Sequence, residues 1–242
     1  MIKDRLNEIH DRVSLVENSH YYVDDKTIPE EHRAMPRVSS VLDKLFPVTD
    51  FVDQLRRQAA PWGTAMHKYI EELTYDTSYP VDQEFRYATD SWFDWIANSG
   101  LKVMAAEQKL YYYNPETHAR FAGTCDLIGY KEYDDGRQQL FLIDYKSSSK
   151  IRPENALQLC AYTLGMEHIL SGILSTNIRA QVLKLPKSAQ DNPLSLKECR
   201  NIEWQKELFL SSVENQVAIE EWSAYQTKWL TKKAMKEADN DL

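Results

Sequence analysis

The sequence predicts an α/β chain, and three observations lead there. Amphipathic helical segments and short apolar strand-like segments occur in the same chain. Three of the strand-like segments are consecutive, and a hairpin turn signal joins the last two. A helical segment then follows, and strand character returns at residues 177–185. The length, 242 residues, suffices for one domain with a sizeable core. We expect a single domain, residues 1–242, with its core at about 61–185, an N-terminal helical segment at 1–60 and a C-terminal helical cover at 201–238. The net charge of −8 argues against a protein that coats DNA electrostatically. It leaves open a site where clustered carboxylates hold cations and become locally positive.

Taken in order, Ile2 to Val16 form an amphipathic helix, and Tyr21-Tyr22 an extended segment. The run PRVSSVLDKLFP, from Pro36, is a helix start with Val41, Leu42, Leu45 and Phe46 as its apolar face. Ser39 and Ser40 at that start either cap the helix or hold a phosphate. A further helix spans residues 49–60 and carries Arg56 and Arg57. Pro61-Trp62-Gly63-Thr64 then opens a helix from Ala65 to about Leu73, striped by Met66, Ile70 and Leu73. His67 lies one position off that stripe. A helical histidine there is ordinarily a satisfied boundary residue, and as a neutral imidazole it is also a metal ligand.

Residues 75–83 are a loop. Glu84 to Asn98 form an aromatic-rich helix, with core aromatics rather than base-stacking platforms, stopped by Ser99-Gly100. Val103 to Tyr113 form a strand with Glu107 inside it. The strand from Phe121 and the strand LFLIDYK flank Asp134-Asp135-Gly136, a hairpin signal. Pro153 is suited to a first helical position, and the helix from Glu154 to about Leu170 sets Gln158 and Tyr162 on one edge. Asn177 to Leu185 form another strand, residues 186–200 a polar loop, and 201–238 a long helix.

The chemistry concentrates between Phe121 and Lys150. Strand alternation puts Leu140, Leu142, Asp144 and Lys146 on one face, and Ala122, Thr124, Asp126 and Ile128 on one face of the preceding strand. Charges ending an apolar face cost several kcal/mol unless paired or metal-bound. Hairpin pairing brings Asp126 beside Asp144, and a divalent cation resolves the repulsion. Two aspartates and one lysine suggest a magnesium-dependent phosphodiester-cleaving site.

The order of these features is a helix with His67, a strand with Glu107, a strand with Gly123-Thr124-Cys125-Asp126, a strand with Asp144-Tyr145-Lys146, a helix with Gln158 and Tyr162, and another strand. In this order the chain resembles the RecB-like branch of the PD-(D/E)XK nuclease superfamily. PRVSSVL, GTAMHKYIE, AGTCDLIGY, FLIDYKSS and QLCAYTLGM are similar to segments of the mitochondrial genome maintenance exonuclease family and its phage and bacterial relatives. The resemblance spans about Pro36 to Leu185. It implies a restriction-endonuclease-like α/β core with a central mixed β-sheet flanked by helices, here with added N- and C-terminal helices.

It also implies that His67, Asp126 and Asp144 ligate Mg2+ or Mn2+ together with the backbone carbonyl of Tyr145, with Glu107 as a nearby or second-metal acid. Lys146 would position the water and stabilise charge on the phosphate. Gln158 and Tyr162 would brace the site or contact the DNA backbone. Ser39, Ser40, Arg37, Arg56 and Arg57 are expected DNA contacts. The activity implied is exonucleolytic hydrolysis of single-stranded DNA, or DNA with single-stranded ends, in repair, recombination or phage DNA processing. A structure-specific endonuclease and an inactive nuclease-fold binding protein are the alternatives. Some members of this branch carry a four-cysteine iron–sulfur cluster. The three scattered cysteines here, Cys125, Cys160 and Cys199, lead us to expect none, and they fit a reducing, intracellular, cytoplasmic setting. No secretory or transit pattern and no membrane span is expected, and any motor would be a separate helicase or recombination protein.

Overall fold

The computed structural model describes residues 1–16, 20–148, 150–173, 177–191 and 193–240, with 232–240 described by backbone alone. Helix α1 (Ile2–Arg12) buries Leu6 and Ile9. The expected helix to Val16 ends early, because Val13 turns extended at φ −108° and ψ 120°. The β-branched run then forms strand β1 (Val13–Val16), which pairs antiparallel with β2 (His20–Val23). β2 in turn pairs with β3 (Ala34–Pro36). The first 60 residues are therefore a helix, a small sheet and further helices, not the helical segment expected.

Helix α2 (Val38–Leu45) buries Val38, Val41 and Leu42. Helix α3 (Asp50–Tyr75) is one element where two were expected, since it runs through Pro61. Proline removes one helical hydrogen bond, and Pro61 lies on the solvent side, where water satisfies the carbonyl left over. Helix α4 (Arg86–Ser99) ends on Gly100 at φ 67°, a left-handed stop.

Strands β4 (Lys102–Tyr113), β5 (Arg120–Glu132) and β6 (Gln138–Lys146) form the antiparallel meander the sequence predicts. Helix α5 (Pro153–Ile169) crosses over to β7 (Ile178–Lys184), which pairs parallel to β6. Strand β8 (Ser195–Glu198) then pairs antiparallel with β7, inside a stretch read from the sequence as loop. The sheet order is β4-β5-β6-β7-β8, a mixed sheet flanked by helices, as expected. It extends past the expected core limit of residue 185.

β6 is buried on both faces, so it reads as a continuous apolar run. Leu140 and Leu142 join one core with α1, α2, α5 and Phe209. Phe141, Ile143 and Tyr145 join the other, with Met66 and Ile70 of α3 and Trp92 of α4. The final helix, α6 (Ile202–Asn240), packs through Phe209, Val213 and Val217. Beyond Val217 its described side chains are exposed, so the expected cover is supplied by its first half. Among the described residues no helix is long and apolar enough to cross a membrane.

Candidate active site

The site forms where the meander opens. β5 and β6 pair as far as Leu127 with Ile143, so the next residues on the two strands are Asp126 and Asp144. There the Asp126 side chain, not its backbone, accepts the Tyr145 N–H. The N–H and C=O of one strand residue point the same way, so the Tyr145 carbonyl is directed to the Asp126 side. On the other side of β6, the Lys146 carbonyl accepts Leu185 N–H at 2.8 Å.

Glu107 falls between the pairs Ala106–Leu127 and Gln108–Cys125, opposite Asp126. Its φ is +46°, a left-handed backbone that costs a glutamate about 1–2 kcal/mol and interrupts the ladder. Glu107, Asp126 and Asp144 thus lie in a row across three adjacent strands. α3 supplies His67, whose Nδ1 is 3.1 Å from Asp126 Oδ1 and 3.9 Å from Glu107 Oε1. The His67 ring meets the Tyr145 ring edge-on at 5.8 Å, and Tyr145 Oη accepts the Trp92 indole N–H at 3.0 Å. The sequence marks Trp92 only as a core aromatic, and its hydrogen bond to the residue between Asp144 and Lys146 went unseen. A core tryptophan needs a partner for its N–H, which is the one signal that could have prompted the search.

Asp144 is 1% exposed. Lys146 Nζ lies 2.7 Å from its Oδ2, yet that oxygen has no hydrogen-bond partner. The ammonium is close enough for an ion pair but off the hydrogen-bond direction, which leaves a buried lone pair aimed into the site. Burial pushes the Asp144 carboxyl up to about 6, with Asp126 adding to the rise and Lys146 opposing it. Burial and the Asp126 charge push Glu107 up to about 8. For Asp126 burial works upward, but His67, Lys146 and the Tyr145 N–H outweigh it, and the carboxyl sits below its ordinary range. Burial disfavours the charged forms of His67 and Lys146, yet the adjoining carboxylates hold both above their ordinary values.

Ligand atoms of His67, Glu107 and Asp126 all lie within 4.8 Å of one another. Two carboxylates and an imidazole around an incompletely satisfied Asp144 form a donor set that fits a hard or borderline divalent cation. Of the residues expected to surround the metal, Glu107 is more central than the resemblance implied. Asp144 stands with Lys146, outside that trio.

The remaining expected residues divide. Gln158 Nε2 donates to Tyr162 Oη at 2.8 Å, and the Tyr162 ring lies against β5 where a Cβ on Gly123 would approach it to 2.7 Å. Gly123 is therefore required by close packing, and Gln158 braces Tyr162. A cavity of about 290 Å³ opens beside Lys146, with Ser39 of α2, Arg56 of α3, and Glu154 and Gln158 of α5 in its wall. Arg56 spans it, 3.8 Å from Asp43 and 3.2 Å from Glu154. Arg57 pairs instead with Asp53 of its own helix at 2.7 Å. Arg37 precedes α2 and bridges to Ala122 of β5 through backbone, and Ser40 sits half-buried in the first turn of α2. Neither Arg37 nor Ser40 lines the cavity.

The family model of the PD-(D/E)XK nuclease superfamily matches residues 8–239. No curated protein matches the chain. A solved structure described as "Crystal structure of SSO0001" is similar over 89% of this chain and 84% of that one, at 12% identity and a TM-score of 0.38.

Proposed function

The chain belongs to the PD-(D/E)XK nuclease superfamily, and from that premise we propose that it is a RecB-like, Mg2+- or Mn2+-dependent DNA exonuclease acting on single strands with a free end. The observation that carries the chemistry is the row Glu107, Asp126, Asp144 beneath His67, with Lys146 at its edge. His67, Asp126, Asp144 and the Tyr145 carbonyl would hold the cation, with Glu107 as a further acid or second-metal ligand. When bound, the cation supplies a Lewis acid for the phosphate and a water of lowered pKa.

The chain's own groups do the rest. Lys146, tied to Asp144 at 2.7 Å, keeps a fixed positive charge where the pentacovalent phosphate gains negative charge. Glu107, pushed up to about 8, is a carboxyl able to accept or release a proton near neutrality. Tyr145 is held on both sides, by Trp92 at its hydroxyl and Asp126 at its N–H, which keeps its carbonyl pointing into the site.

The preference for ends draws support from the cavity beside Lys146. The bridge from Asp43 through Arg56 to Glu154 links α2, α3 and α5 around it. A strand inside such a ring enters from its terminus. Repair, recombination or phage DNA processing, with a helicase or recombination protein as partner, is the setting that fits such an activity. The test is incubation with Mg2+ and linear or covalently closed circular single-stranded DNA. We expect the linear form to be degraded while the circle resists. Rapid cutting of the circle makes the protein an endonuclease, and no hydrolysis with either metal makes it a binding protein.

A further inference from the structure

The strand register carries a basic row away from the catalytic lysine. Lys146 of β6 pairs with Lys184 of β7, and Lys184 pairs with Ser195 of β8. Lys197 is two residues along β8, opposite Val182, so Lys146, Lys184 and Lys197 share one face of the sheet. Lys184 is 6% exposed, an unusual degree of burial for a lysine. Lys150, in the segment between β6 and α5, comes over the same end. Together Lys150, Lys184 and Lys197 line a cavity of about 480 Å³ with Ser195, Pro193 and Leu194. That volume falls in the ~300–1,000 Å³ range of ligand clefts.

Among the described residues lining this cavity none carries a carboxylate, in a chain whose net charge is −8. Three like charges in one cleft repel and gain little unless an anion fills the space. The sheet ends here, β8 is an edge strand, and the cleft opens next to the floor of the catalytic cavity through the Lys146–Lys184 pair.

Resting on the nuclease reading above, we propose that Lys150, Lys184 and Lys197 form a second phosphate subsite, which holds the DNA backbone beside the scissile phosphate. The ligand chemistry is a phosphate diester or monoester, so the occupant is either the strand itself or a released mononucleotide. The geometry favours the strand, because the lysine row is continuous with Lys146.

The test uses the full chain and leaves the buried Lys184 in place. A labelled single-stranded oligonucleotide is titrated with Ca2+ present, over a range of salt, against wild type and the Lys150→Ala/Lys197→Ala double variant. Each phosphate contact on a single strand contributes roughly 0.7 to the slope of log K against log salt. The double variant should therefore lose roughly 1.4 from that slope. The exposed pair Lys3→Ala/Lys26→Ala, which removes the same charge elsewhere, should leave the slope as in wild type. An unchanged slope in the Lys150/Lys197 variant overturns the subsite, as does an equal loss in the control pair. Inhibition of hydrolysis by a deoxynucleoside monophosphate separates the two sources. If the variant loses that inhibition while its DNA slope is unchanged, the cleft holds product and the strand subsite is rejected. Wild type that binds DNA with the expected slope but never hydrolyses it would reject the nuclease reading and leave the subsite standing.

Discussion

Replacing Glu107 by glutamine should stabilise the metal-free protein and weaken its response to metal. The carboxyl moves from its ordinary 4.5 to about 8 in the folded chain. Between those values the folded protein keeps a proton that the unfolded chain has released, so metal-free stability falls as pH rises from about 4.5 to about 8. At roughly 1.4 kcal/mol for each tenfold change, the ceiling is about 5 kcal/mol. The side chain is 28% exposed and shares its field with Asp126, Asp144 and His67, so we expect about 1–3 kcal/mol of that to be realised. For a chain of this size that is roughly 3–10 °C in melting temperature.

The assay is thermal denaturation in EDTA at pH 5, 6.5 and 8. Wild type and Glu107→Gln should melt together at pH 5, where both side chains are neutral, and the variant should melt higher at pH 8. The rise contributed by Asp144 is common to both proteins and cancels in the difference. Addition of Mn2+ at pH 8 should reverse the order, because an amide is a poorer ligand than a carboxylate for a hard cation. Parallel melting curves from pH 5 to 8 in EDTA would show that Glu107 is not held above its ordinary range, and the argument would fail.

Three further outcomes are expected. Lys146→Ala should still bind DNA but slow the single-turnover chemical step by at least roughly a hundredfold; a rate within a few-fold of wild type would leave the lysine a mere ion-pair partner of Asp144. Gly123→Ala brings a Cβ to 2.7 Å from the buried Tyr162 ring and should cost about 1–3 kcal/mol in denaturant titration, while Gly136→Ala, with no atom within 4 Å but φ +80°, tests backbone strain without the clash. Arg56→Ala removes a bridge whose arginine is 32% exposed, so its melting temperature should stay within a few degrees of wild type, while closed circles, resistant before, become cleavable; unchanged resistance would detach the ring from the preference for ends.

Much of the site is legible in the sequence, for a definite reason. Period-two alternation fixes that Asp126, Asp144 and Lys146 follow apolar stripes, and the Asp-Asp-Gly turn fixes the hairpin that sets the strands side by side. The burial of β6 on both faces is equally visible in its unbroken apolar run. What escapes is of three kinds. β1, β3 and β8 have three or four residues each, too few for alternation to register, and β8 is polar because it is an edge. Pro61 signals a helix start by its chemistry, but its solvent-side position lets α3 continue through it. The partners of Arg56 lie on other helices, Glu154 being 98 residues away, and no local period reports a contact at that range. The left-handed Glu107 has no sequence signal either, since glutamate is not a residue that favours positive φ.

The mixed sheet has a consequence for how the chain assembles. β4, β5 and β6 are joined by short turns, whereas the parallel β6–β7 pair forms only after residues 147–177 have been laid across the sheet. Loop-closure entropy favours the nearer pairings first. Glu107, Asp126, Asp144 and Lys146 then come together on a young hairpin meander still open to water. Their mutual repulsion is screened at that stage, and the dehydration that raises Asp144 and Glu107 arrives late, when α3 brings His67 down and α5 closes the other face. The slow step of folding would accordingly carry the pH dependence, and amides of β4 to β6 should be protected in pulse-labelled hydrogen exchange before those of Ile178–Lys184. Simultaneous protection of all five strands would mean that the carboxylates and their covering helices are buried in a single event.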